Sequence, residues 1–136
     1  MHSVPSNSIL RLHNEILDFQ DFISPTDEEK RRRNSVVALM QGVVKSLWKS
    51  SDVRLEVFGS TLTGLALPTS DVDMVVFGAP RSGSTRPLRE LAAELERRKL
   101  VDYIEVIGKA RVPIIKMRSQ SRSTSLPGVK SSFHCF

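Results

Sequence analysis

Residues 53–78 constrain this chain more than any other stretch. Residues 53–58 alternate apolar and polar, which predicts a strand. Gly59-Ser60 ends it at a tight turn. A ten-residue insert, residues 61–70, follows, and then residues 71–77 read as a second strand. Met74, Val75 and Val76 form a continuous apolar run there, the pattern of a strand covered on both faces.

Asp71 and Asp73 stand two apart on that second strand, so both side chains leave the same face, while Val72 turns into the core. Two adjacent carboxylates repel each other unless a cation sits between them, and hard divalent ions such as Mg²⁺ favour oxygen ligands. Gly59 allows close approach of the backbone to a ligand, and Ser60 offers a hydroxyl and an N–H to a phosphate. An Asp-x-Asp pair by itself also fits a solvated strand face. Its pairing with Gly-Ser at the ends of adjacent strands favours a phosphate-and-metal site.

The rest of the chain supplies the frame. A helix is expected from a Ser8 cap to about Phe22, with Ile9, Leu12, Ile16, Phe19 and Phe22 on one stripe. Thr26 and Glu29 have capping-box spacing before a second helix reaching about Lys49. Its buried face is expected to hold Val36, Val37, Met40, Val43, Val44, Leu47 and Trp48, with the basic run at residues 30–33 solvated. Thr85 caps a third helix, with Pro87 in its first turn, to about Leu100. Strands follow at residues 101–107 and 111–117. The reading is an α/β (α+β) domain, a small mixed sheet flanked by helices, over residues 1–117.

From Arg118 the periodicity collapses into a serine-rich segment, so residues 118–136 read as a disordered basic tail. The net charge is +5, and residues 109–136 hold six Lys and Arg and no acid. Such a tail is either a solvated end or an RNA contact. The single cysteine, Cys135, excludes an intramolecular disulfide and suggests a reducing compartment. No apolar run of about 18 residues exists for a membrane span.

Phe58-Gly-Ser60, Thr63-Gly-Leu65, Leu67-Pro-Thr-Ser70 and the segment from Asp71 to Gly78 together resemble the DNA polymerase beta-like nucleotidyltransferases. The finer match, with residues 12–19 and 109–116, is similar to the divergent nuclear poly(A) polymerases of the RNA-surveillance (TRAMP-type) group. The resemblance implies a palm domain that transfers AMP from ATP to an RNA 3′ hydroxyl, with Mg²⁺ or Mn²⁺ as cofactor. It implies nuclear location, with a zinc-knuckle RNA-binding protein and an RNA helicase as partners. Gly59 and Ser60 would bind the nucleotide, and Asp71 and Asp73 would be the catalytic metal ligands.

The family also has a third metal-binding carboxylate on a later strand, expected here near Pro127. Residues 118–136 contain no Asp or Glu. The expectation is therefore a palm incomplete at its C-terminus, lacking a strand and exposing a sheet edge. The alternative to an active enzyme is an inactive truncated fragment that binds nucleotide or a protein partner without turnover.

Overall fold

The computed structural model describes residues 7–80, 85–121 and 128–135. In chain order the elements are α1 (Ser8–Ile23), α2 (Asp27–Leu47), β1 (Arg54–Phe58), α3 (Ser60–Thr63) and β2 (Val72–Phe77). They continue with α4 (Arg86–Arg97), β3 (Val101–Ile107), β4 (Ile114–Ser119) and β5 (Lys130–Cys135).

The five strands form one mixed sheet in the order β1-β2-β5-β4-β3. Only β2 and β5 run parallel; the other neighbours are antiparallel. The parallel pair needs a long crossover. The chain leaves β2, turns through α4, β3 and β4, and returns to fill the slot beside β2.

Helices α2 and α4 lie on one face and supply the core. Thr26 and Glu29 close the expected capping box: Thr26 N–H donates to Glu29 Oε2 at 2.7 Å, and Glu29 N–H to Thr26 Oγ1 at 3.2 Å. Val36, Met40, Val43 and Val44 then bury the inner face of α2. Leu88, Leu91, Ala92 and Leu95 recur at helical spacing and do the same for α4. Against them pack Val72, Met74 and Val76 of β2, Ile115 and Met117 of β4, and Phe133 of β5. No described helix covers the opposite face, where Asp73, Ser132, Lys116 and Glu105 follow one another across the strands.

Three expectations need correction. The first concerns the tail. Residues 130–135 are not outside the fold; they are its middle strand. Ser131 and Phe133 face the core at 2% and 0% exposure, with Cys135 packed against it, while Lys130, Ser132 and His134 alternate to the open face. The sheet therefore has no gap where a strand was expected to be missing. Gly128 makes the return possible: a Cβ there would lie 1.8 Å from the Ser119 carbonyl oxygen. Only glycine lets Val129 N–H reach Ser119 Oγ at 2.9 Å and Ser119 N–H reach Val129 O at 3.0 Å.

The second concerns α1. Its cap is Asn7, whose side chain accepts from Leu10 N–H, and none of its residues is buried. Ile9 and Phe22 are 79% and 84% exposed. The apolar stripe exists, but the described residues bury none of it.

The third concerns the basic run in α2. Arg33 is not solvated but only 6% exposed.

Candidate nucleotide and metal site

The site grows from the β1–β2 hairpin. Antiparallel register sets Phe58 opposite Asp73, so Gly59, the next residue, sits beside the Asp73 carboxylate. Gly59 has φ +73° and ψ −149°, a conformation essentially confined to glycine. A Cβ there would lie 2.6 Å from Asp73 Oδ2. The glycine is thus required twice, by its backbone and by the carboxylate.

Ser60 opens the short helix α3, which packs on the ends of β1 and β2. Thr63 Oγ1 donates to Gly59 O at 3.4 Å and Ser60 O at 3.3 Å, holding that turn together. Ser60 is half-buried and Asp71 exposed. The structure therefore brings Gly59, Ser60 and Asp73 to the open end of β1 and β2, with Asp71 just ahead of β2.

Asp73 is fixed from the other side by β5. Ser132 Oγ donates to Asp73 Oδ1 at 2.6 Å, so one carboxylate oxygen is tied to β5 and the other abuts Gly59. The sequence reading missed this contact because Ser132 belonged to the supposed tail. The signal was present: Ser131, Phe133 and Cys135 alternate with Lys130, Ser132 and His134.

Arg33 was also missed. Its Nη2 donates to Leu67 O at 2.8 Å and to Pro68 O at 3.0 Å. Ser70 Oγ accepts from Leu67 N–H at 2.9 Å, closing the same turn. The buried guanidinium thus clamps the loop that delivers Asp71. Removing it leaves two carbonyls short of a charged donor, at a cost of about 1–3 kcal/mol. Arg33→Met is expected to lose about that much in urea unfolding, and to weaken metal-dependent ATP binding because Asp71 is no longer held.

A third carboxylate does not appear. Pro127 lies outside the described residues. The β5 positions nearest the aspartates on the open face are Lys130 and Ser132. Among the described residues, no group of three or more His, Cys, Asp or Glu could hold a metal. Asp71 and Asp73 fit as oxygen ligands for one hard divalent ion. Cys135 offers no nucleophile, since burial pushes its thiol up to about 11.

A mixed sheet with helices on one face, and a carboxylate pair beside a Gly-Ser turn on the other, is the palm of a polymerase beta-like nucleotidyltransferase. The chain belongs to the family described as "Poly(A) RNA polymerase, mitochondrial-like, central palm domain", which matches residues 12–135. It is 45% identical over 103 residues to poly(A) RNA polymerase protein 2 of Saccharomyces cerevisiae, covering 75% of this chain and 17% of that one. It is 40% identical over 107 residues to the inactive non-canonical poly(A) RNA polymerase protein Trf4-2 of Drosophila melanogaster, covering 77% and 25%. The solved polymerase core of TRAMP, an RNA surveillance complex, superimposes with a TM-score of 0.72 at 40% identity, covering 88% of this chain and 35% of that one. The chain thus spans a quarter or less of these two curated relatives. No described helix is long and apolar enough to cross a membrane.

Proposed function

We propose that this chain is the ATP- and metal-binding palm of an RNA 3′-end nucleotidyltransferase of the poly(A) polymerase type. One observation carries the reading: the Asp73 carboxylate is wedged between Gly59 and Ser132 Oγ, next to Asp71, where a triphosphate and its cation can meet. Residues 12–135, the span of the family match, act as one palm unit.

Each residue has a task in this reading. Ser60 contacts the triphosphate, and Gly59 makes room for it. Asp71 and Asp73 hold Mg²⁺ or Mn²⁺. Bound there, the ion neutralises charge on the transferring phosphoryl group. Ser132 keeps Asp73 aimed, and Arg33 keeps the Asp71 loop in place. The reaction is attack of an RNA 3′ hydroxyl on the α-phosphorus of ATP: an O–P bond forms, AMP joins the RNA and pyrophosphate leaves. RNA is the partner in the reaction. The TRAMP likeness supports nuclear work in RNA surveillance beside a zinc-knuckle RNA-binding protein and an RNA helicase.

A second reading, nucleotide binding without turnover, is favoured by a lysine and a serine standing on β5 beside the aspartates. RNA 3′ extension separates the two. The purified chain is incubated with RNA, ATP and Mg²⁺ or Mn²⁺, beside an Asp71→Ala/Asp73→Ala control. Extension that vanishes in the control supports transferase activity. Metal-dependent ATP binding without extension supports the second reading, and no ATP binding defeats both.

A further inference from the structure

The aspartates of the open face have an unusual neighbour. The parallel register pairs Val72 with Ser131 and Asp73 with Ser132. One step back along both strands sets Asp71 beside Lys130. Strand side chains alternate between faces, so Lys130 and Ser132 leave the same face as Asp71 and Asp73. On the next strand Arg118 pairs with Lys130, and Lys116 with Ser132. The carboxylate pair is therefore bordered by an ammonium and a hydroxyl, with two more cations beyond.

We propose that this site holds a nucleoside triphosphate with one divalent cation rather than two, because Lys130 stands where an oxygen ligand for a second ion would have to arise. The inference deepens the proposed function and rests on it. An ammonium has three donors and no lone pair, so Lys130 cannot ligate a cation. Ser132 does not replace it, since its hydroxyl is committed to Asp73 Oδ1 at 2.6 Å. Arg118 is held by Asp102 Oδ1 at 2.8 Å, which keeps its charge at this edge. A second divalent ion approaching β5 would meet positive charge and no new ligand. A paired-metal clamp, with ions about 3.5–4 Å apart, needs oxygens on both sides of the pair.

The test counts bound ions. Mn²⁺ bound by the full chain is measured by electron paramagnetic resonance with saturating non-hydrolysable ATP analogue, and bound analogue is counted in parallel. The wild type is expected to hold one Mn²⁺ per bound nucleotide. Lys130→Asp and Lys130→Glu are expected to hold two. Lys130 is exposed, so neither change disturbs the core. Lys130→Met is expected to stay at one, because losing the charge supplies no ligand. Two ions in the wild type, or one in both acidic variants, would overturn the inference while leaving the nucleotide site standing. A wild type that binds no analogue would overturn the proposed function together with this inference.

Discussion

Gly59→Ala is expected to weaken metal-dependent ATP binding by about 10- to 100-fold while leaving the chain folded. The new methyl group would fall 2.6 Å from Asp73 Oδ2. Real carbon–oxygen contacts do not come so close, so the carboxylate must swing away. Swinging breaks the 2.6 Å bond from Ser132 Oγ and takes the oxygens from where a cation would find them. The backbone adds to the effect, because φ +73° with ψ −149° is open to glycine and costs other residues about 1–3 kcal/mol. A cost of that size, relieved by distorting the site, corresponds to the affinity loss given. Titration of ATP with Mg²⁺, wild type against variant, checks it. Unchanged affinity would mean that Asp73 does not face the nucleotide.

Phe133→Ala is expected to destabilise the chain by about 3–5 kcal/mol. Phe133 is fully buried on the middle strand, opposite Met74 on β2 and Ile115 on β4. Its removal opens a hole between both helices and the sheet. A loss of this size is a large fraction of the stability of a small domain, about 5–15 kcal/mol in total. Chemical unfolding of wild type and variant measures it. If residues 118–136 were a disordered tail, the substitution would change nothing, so this variant decides where the domain ends.

The two predictions mark where the sequence was readable and where it was not. Helix α2 was legible because local rules agreed: a capping box at Thr26 and Glu29, then apolar residues at helical spacing. Strand β3 came out at its expected bounds, and Gly59 and Asp73 were expected at neighbouring strand ends, where the register sets them. Strand β5 was hidden because two of its core-facing positions are Ser131 and Cys135, and serines around it read as low complexity. Small residues suffice there because Phe133 fills the space between them. A central strand is held by neighbours on both sides, and the backbone ladders to β2 and β4 leave no trace in composition.

Arg33 and Ser132 were illegible for a different reason. Both act through partners distant in the chain: Arg33 on the carbonyls of Leu67 and Pro68, Ser132 on Asp73. A basic run in a helix looks solvated until the loop it clamps is known. A serine in a serine-rich stretch has no distinguishing mark until register places it beside a carboxylate. The site is thus sequence-visible in its glycine and acids, and structural in the residues that aim them.

The central claim is that Asp71 and Asp73 form a metal-dependent nucleotide site. Isothermal titration of ATP into the chain, with Mg²⁺ and with EDTA, tests it most directly when repeated on Asp73→Asn, with folding of each sample checked by its thermal melt. The account predicts binding that requires Mg²⁺ and disappears in the folded variant. Binding that persists in EDTA, or survives Asp73→Asn unchanged, would contradict it.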